Sequence, residues 1–400
     1  MSAIDARREG PLIALLGMLV AFGPLAIDLY LPALPAIATG LGATAEAVQG
    51  SITVFLGGFA LGMLGYGPLS DRYGRRPVML AGIALFVLAS AGCLLARNAD
   101  ALIAARFVQA LGGGAASVLA RAVARDLFPP TEAIRTLSLM AMITAIAPLL
   151  APMAGSALPA DFGWRGAFAA LLAWGILALA VVWRALPESL PAERRAAHPL
   201  RAVFGAYGRL LADPAAVGLV LAGGMSFAAM FAYITASPFY FIALKGLTPF
   251  DYSLVFAANA LGIFAANYAN NRLVRRRGPV ALAGFGSLLG LAAAASLPVT
   301  VGLPHPAPVI ASLFVVVSMT GLLGANCVGL LMARYPGNAG AAAALFGAAQ
   351  FGLGMLASAG VNLKHDGSGR PMAWAIVLAS ALSVAGYLLF RSTHRAADGP

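Results

Sequence analysis

The chain has 400 residues, of which 60% are hydrophobic and 10% charged, and its mean hydropathy is +0.86. Soluble globular domains carry about 25% charged residues, so a water-exposed single core is excluded and a bilayer is the solvent that suits this composition. The net charge of +11 raises the question of a nucleic-acid partner, which the placement of the basic residues answers below.

A membrane-spanning helix needs roughly 20 mainly apolar residues. In chain order, a first span is predicted over about 11–34 and carries one internal charge, Asp28. Residues 47–70 and 77–96, free of Asp, Glu, Lys and Arg, give the second and third; about 101–121, interrupted only by Arg106, gives the fourth; 136–160 and 166–183 give the fifth and sixth. A connection rich in Pro, Glu and Arg follows, and then 214–244 and 252–271. The uncharged run 278–333 is long enough for two spans, with Pro298, Pro304, Pro306 and Pro308 marking the turn, and 335–363 and 371–390 bring the count to twelve.

The expected fold is an all-α membrane protein of twelve transmembrane helices in two six-helix halves, 1–186 and 214–400, joined by a linker at 187–213. Cytoplasmic loops are enriched in Lys and Arg. With the N-terminus inside, 20 of the 26 basic residues fall on cytoplasmic segments; Arg97, Arg165, Lys245, Lys364 and Arg370 fall outside, and Arg106 lies within a span. Both termini are therefore predicted to be cytoplasmic, and the basic run Arg275–Arg277 reads as a loop facing anionic lipid. No nucleic-acid partner is needed. The apolar stretch after Met1–Gly10 is too long for a signal-peptide core, so it is expected to remain as the first span. Cys93 and Cys327 fall in spans 3 and 10 and suggest neither a disulfide framework nor a metal site. His198, His305, His365 and His394 are placed in loops or the tail. Neither paired catalytic carboxylates nor a nucleophile constellation is evident, so no enzyme activity and no cofactor are expected. A membrane enzyme or non-transporting receptor is the alternative of another class. Arginine outnumbers lysine 24 to 2 and Ala and Gly are abundant, a composition that fits a GC-rich bacterium and its inner membrane.

The most specific segment is Gly67-Pro-Leu-Ser-Asp-Arg-Tyr-Gly-Arg-Arg76. Gly67, Leu69, Asp71, Arg72, Gly74, Arg75 and Arg76 fill every fixed position of the loop between helices 2 and 3 of the major facilitator superfamily, and the segment resembles that signature. A degenerate echo, Asn271 to Pro279, stands between spans 8 and 9, as expected of a repeat with its substrate site near the midplane. Arg106-Phe-Val-Gln-Ala-Leu-Gly-Gly-Gly114 resembles the helix-4 pattern of that family, with Ala110 where glycine is usual. It lacks the lysine and the strand-to-helix setting of a phosphate-binding loop. In span 5, Pro148, Pro152 and Gly155 resemble the helix-5 motif of the antiporters, with Ala151 and Ser156 replacing glycines. With Ala26–Pro35 and Trp164–Phe168, these segments are similar to the bicyclomycin-resistance/CflA group of twelve-span drug:proton antiporters over nearly the whole chain, most strongly in the N-terminal half.

The resemblance implies a monomer that exports small hydrophobic drugs, driven by the proton gradient without a cofactor; proton-coupled uptake of a small metabolite is the alternative. An ionisable residue in hydrocarbon marks a functional site by default. Asp28 lies six residues from the expected end of span 1 and Arg106 six residues below Asp100, each about 9 Å deep at 1.5 Å per residue. Desolvation favours the protonated acid and a nearby guanidinium favours the carboxylate, so the two residues are expected to carry proton coupling in competition with substrate. One acid and one base favour neutral or zwitterionic substrates over dications. Substrate contacts are sought in Phe227, Met230, Phe231 and Tyr233, in Tyr30, and in the amides Gln109, Asn259, Asn326 and Gln350. The family places the Asp71 carboxylate against the N-terminus of helix 11, here Asn338–Gly340, and a basic residue of helix 4, here Arg121 or Arg125. That latch is expected to hold the outward-facing state.

Overall fold

The computed structural model describes residues 6–158, 162–195, 199–363 and 366–397. Twelve helices among the described residues are long and apolar enough to cross a membrane, as the hydropathy pattern predicts. An even number of crossings returns the chain to the face on which it started. That face is called terminal here, and the opposite one distal.

The first crossing departs from expectation. It is broken into α1 (Ala6–Val20), α2 (Phe22–Asp28), a 3-10 turn at Leu31–Ala33 and α3 (Leu34–Leu41). Pro32 and Pro35 have no N–H to donate, so the helical ladder cannot run through them. The crossing continues to Leu41 instead of ending near 34, and Asp28 stands at a break in mid-crossing, deeper than its sequence position suggested.

The rest of the first half is α4 (Ala45–Tyr73), α5 (Arg75–Leu95), α6 (Ala99–Leu127), α7 (Pro130–Ser156) and α8 (Arg165–Ala185). The linker carries α9 (Pro199–Leu211). The second half is α10 (Pro214–Pro238), prolonged by a π turn at Phe239–Leu244, then α11 (Pro249–Arg277), α12 (Pro279–Thr300), α13 (Ala307–Arg334), α14 (Ala339–Leu363) and α15 (Arg370–Ala397). Side-chain caps set several starts: Thr44, Asn98, Asp213 and Thr248 each accept a backbone N–H from the first turn of the helix that follows. Of the four prolines around the ninth and tenth crossings, Pro298 lies inside α12, and the turn itself begins at Val301. His394 belongs to α15, which runs on to Ala397, so it is not in a free tail. His198, His365 and Lys364 lie outside the described residues.

Packing repeats between the halves. The pairs α4–α6, α5–α6 and α5–α8 recur as α11–α13, α12–α13 and α12–α15, while α4–α14 and α7–α11 join one half to the other. On the terminal side α9 buries Ala206, Tyr207 and Leu210 and touches α4, α10 and α14, so the linker helix bridges both halves.

Candidate functional site

Asp28 ends α2 and is 4% exposed. The break after it is pressed against α7, because Gly155 lies so close to the Leu29 carbonyl that any Cβ there would overlap it. This contact gives the helix-5 glycine a physical reason. From the second half, α10 and α11 pack on the Leu31–Ala33 turn, and the Asp28 carboxyl lies within electrostatic reach of the Tyr233 and Tyr252 hydroxyls. Asn259 donates to the Tyr233 hydroxyl at 2.9 Å, and Ser237 and Tyr252 share a hydrogen bond of 3.0 Å. The Asn259 Oδ1 is buried without a hydrogen-bond partner among the described residues. Asp28 therefore faces two phenols of the other half, one of them held by Asn259, and no described cation lies within ion-pair distance of it.

Arg106 is in a different setting. Its guanidinium is fully buried between the rings of Tyr30 and Phe55, 4.3 Å and 4.2 Å from their centres. Nη1 donates to Gln109 Oε1 at 2.5 Å, Gln109 Nε2 donates to Ser90 at 2.8 Å, and Tyr30 and Ser51 hydroxyls are 3.1 Å apart. Nε and Nη2 have no hydrogen-bond partner among the described residues. The expected meeting of Arg106 with Asp28 is thus not made in this conformation. Arg106, Tyr30 and Gln109 form a network inside the first half, held by aromatic faces and an amide in place of a carboxylate.

The remaining sequence candidates divide. Phe227 and Phe231 gather with Phe59 and Phe351, which the sequence reading passed over, into an aromatic cluster between the halves; Phe59 and Phe351 ring centres are 4.7 Å apart. Met230 packs against the core that includes Phe231. Gln350 is half-buried beside Gly324. Asn326 donates to Asn270 at 2.7 Å, some 11 residues along α11 from Asn259, or about 16 Å; it is a bond within the second half and does not reach Asp28. Gln49, also passed over, is buried, its two amide atoms without a hydrogen-bond partner among the described residues, and borders a distal cavity of about 280 Å³ together with Tyr240 and Ser368.

Among the described residues, hydrogen bonds join the halves toward the distal face: Thr53 with Ser358 at 2.6 Å, Asn362 to Thr53 at 3.0 Å, and Ser253 to the Pro152 carbonyl at 3.0 Å. On the terminal face the signature loop is tied within its own half. Gly74 turns the chain at φ +100°, a region that favours glycine, and α5 starts at Arg75. Arg75 pairs with Asp71 at 2.6 Å and Asp126 at 2.9 Å, and Glu188 of the linker accepts the Arg75 and Arg76 amides at 2.9 Å and 3.3 Å. Arg76 donates to the Trp183 carbonyl at 2.6 Å. Arg121 donates to Ser117 of its own helix, and neither it nor Arg125 makes an ion pair with Asp71. No hydrogen bond joins Asp71 to the start of α14 among the described residues; the carboxylate pairs instead with Arg75, one turn away. Arg72 leans on the Tyr73 ring, and Gly67 accepts Ser70 through its carbonyl. At the other end of the linker Asp213 holds Arg334 at 2.6 Å and accepts the Tyr335 hydroxyl. Among the described residues no cluster of metal-binding side chains is found.

The sequence profile of the Major Facilitator Superfamily matches residues 15–359. The chain is 35% identical over 356 residues to the Bacillus subtilis protein named uncharacterized MFS-type transporter YdgK, covering 88% of each. It is 29% identical over 402 residues to the bicyclomycin resistance protein homolog of Haemophilus influenzae, covering 97% of this chain and 98% of that one. It is also 33% identical over 242 residues to the multidrug resistance protein MdtL of Escherichia coli, covering 60% and 61%. Among solved structures, the D-xylose-proton symporter superposes with a TM-score of 0.72 at 19% identity, over 96% of this chain and 97% of the other. Signature loop, repeated helix packing and profile agree, and the chain belongs to the major facilitator superfamily of membrane transporters.

Proposed function

We propose that this transporter exports small hydrophobic drugs across a bacterial inner membrane in exchange for protons, as a monomer with both termini in the cytoplasm, and that Asp28 carries the proton. The observation behind this reading is a carboxyl group buried between the two halves with no cation beside it. An unpaired carboxylate in so dry a place is costly, so the conformation sealed at the distal face suits the protonated acid. In the proposed cycle, drug arriving from the cytoplasm enters the aromatic cluster of Phe59, Phe227, Phe231 and Phe351, and Asp28 gives up its proton inward. The halves then rock, the distal seal opens, and the Asp28 carboxylate turns about the break at Leu29 toward the unpaired donors of Arg106. Protonation from outside releases drug and returns the protein to the sealed state. Substrate and proton need only disfavour each other's binding. The Asp71 latch belongs to the outward-facing state in this scheme, which agrees with its being unmade here. The names of the bicyclomycin-resistance and MdtL relatives support the drug class.

The test is a drug-susceptibility panel in an efflux-deficient bacterium expressing the wild type or Asp28→Asn. The wild type is expected to raise tolerance to some drugs, and the variant to lose this while still binding them. Proton-driven transport that survives Asp28→Asn removes Asp28 from the mechanism. Uncoupler-sensitive accumulation of a labelled compound, instead of depletion, reverses the direction to uptake.

A further inference from the structure

Just above the seal between the halves, the cavity of about 280 Å³ opens to the distal face. Its rim includes the exposed Ala243 of the π turn and the exposed Ser368 before α15, and its floor is Gln49, Val361 and Met372, each no more than 1% exposed. The wall is preformed. Gly369 lies so close to the Tyr240 ring that any Cβ there would overlap it, and the Tyr240 hydroxyl donates to the Val301 carbonyl at 3.2 Å. From the first half α4 presents one face, since Ala45 and Gln49 both border the cavity and stand four residues apart, one above the other.

The chemistry of the cavity is narrow. No charged side chain borders it among the described residues. The Tyr240 hydroxyl is committed to Val301 and the Ser368 hydroxyl to Asp366. The polar side chain left is Gln49, whose Oε1 and Nε2 are buried with no hydrogen-bond partner among the described residues. Leaving a buried donor and acceptor unmade is costly, and a partner that offers one N–H and one C=O side by side makes both bonds at once. That pattern is the edge of a primary amide or a lactam. A charged ligand would lose its hydration here and gain no counter-charge. The volume, near the lower limit for small-molecule sites, takes a single ring with its amide.

We propose that this cavity binds a compact neutral molecule with a primary-amide or lactam edge, through paired hydrogen bonds to Gln49, and that the bound molecule clamps the distal seal shut. The clamp follows from position. Gln49 stands one turn from Thr53 on α4, and Val361 lies between Ser358 and Asn362 on α14, so the occupant touches both helices that carry the seal. A ligand that needs the halves together favours the sealed state by its differential affinity for it. The binding site is independent of what is transported and in which direction.

Saturation-transfer NMR of the full-length protein in detergent, with benzamide and N,N-dimethylbenzamide titrated separately, tests the site. Benzamide is expected to bind more tightly, by roughly fivefold, because the dimethyl compound keeps the ring and carbonyl but has no N–H to donate. Gln49→Leu, apolar and of similar size, is expected to abolish that difference. Ala243→Phe narrows the mouth without touching the amide, and is expected to lower benzamide binding even if Gln49→Leu fails to fold. The clamp is read from the rate at which Thr53→Cys and Ser358→Cys form a disulfide in a Cys93→Ser, Cys327→Ser background. Benzamide is expected to speed that reaction when Gln49 is present and to leave it unchanged in Gln49→Leu. Equal binding of the two compounds to the wild type, the result if water satisfies the amide better than a ligand does, overturns the site. Benzamide binding that survives both Gln49→Leu and Ala243→Phe overturns it as well, and a cross-linking rate indifferent to saturating benzamide overturns the clamp.

Discussion

At the scale of single residues, two intramembrane charges were legible from their rarity, and their surroundings were not. Gln109 lies three residues from Arg106 on one helix, so their bond at 2.5 Å follows the i, i+3 geometry of α6. The approach of Tyr233 and Tyr252 to Asp28 joins positions more than 200 residues apart, and no local pattern announces it. The aromatic clamp on Arg106 has an energetic consequence. Because no described acid pairs with this guanidinium, Arg106→Met leaves no orphaned carboxylate, and its cost is expected to be the lost stacking, about 1–2 kcal/mol, together with about 1–3 kcal/mol for the buried Gln109 Oε1 left without its donor. Arg106→Lys, which keeps the charge but loses the planar sandwich, is expected to cost at least as much. Thermal unfolding of both variants in detergent checks this. When Arg106→Met is made in a Gln109→Leu background, which removes the amide's share, a loss of about 3–5 kcal/mol is what breaking a buried ion pair produces, and would place a carboxylate against Arg106 after all.

Among the helices, the apolar runs foretold every crossing, while the interruptions within crossings came from chemistry that hydropathy does not register. The break after Asp28 is set by Pro32 and Pro35 and by the approach of Gly155 to the Leu29 carbonyl. Gly155→Ala is accordingly expected to force α7 away from the break and lower stability by about 1–3 kcal/mol, read as a fall in melting temperature with loss of transport. The linker is fixed by carboxylates at both ends, Glu188 on the start of α5 and Asp213 on Arg334. Glu188→Gln removes a charged cap and is expected to cost about 0.5–2 kcal/mol. Burial pushes the Asp213 carboxyl up, but the hydrogen bonds from Arg334, Tyr335 and the Ala215 amide outweigh it and hold it below its usual 3.8. A depressed carboxyl contributes stability above its unfolded-state pKa and loses it only as pH falls through the lower folded value. Protease cleavage of the linker should therefore be unchanged from pH 7 down to about 4.5, and faster at pH 7 in Asp213→Ala. Faster cleavage of the wild type already at mildly acidic pH contradicts the anchor.

For the molecule as a whole, the two-half plan was visible in the linker and the degenerate repeat of the signature loop, because each half must bury its own helices before the halves can meet. Which face is sealed was invisible: it depends on a few polar contacts such as Thr53, Ser358 and Asn362, small residues with no periodic signal. Those contacts can be made permanent. The Thr53 and Ser358 hydroxyl oxygens are 2.6 Å apart, so Thr53→Cys with Ser358→Cys places two sulfurs within bonding reach. The native thiols Cys93 and Cys327 are both buried and free, and are replaced by serine to leave one oxidisable pair. If the distal face must open in every cycle, oxidation of the double variant stops transport and a reductant restores it, while either single variant is indifferent to both. The disulfide should also leave substrate access from the terminal face intact, so drug binding persists when turnover has ceased. Full transport by quantitatively cross-linked protein means that the α4–α14 contact is static, and alternating access must then proceed at the other contacts between the halves, α7–α11 and the packing of α10 and α11 on the Leu31–Ala33 turn among them.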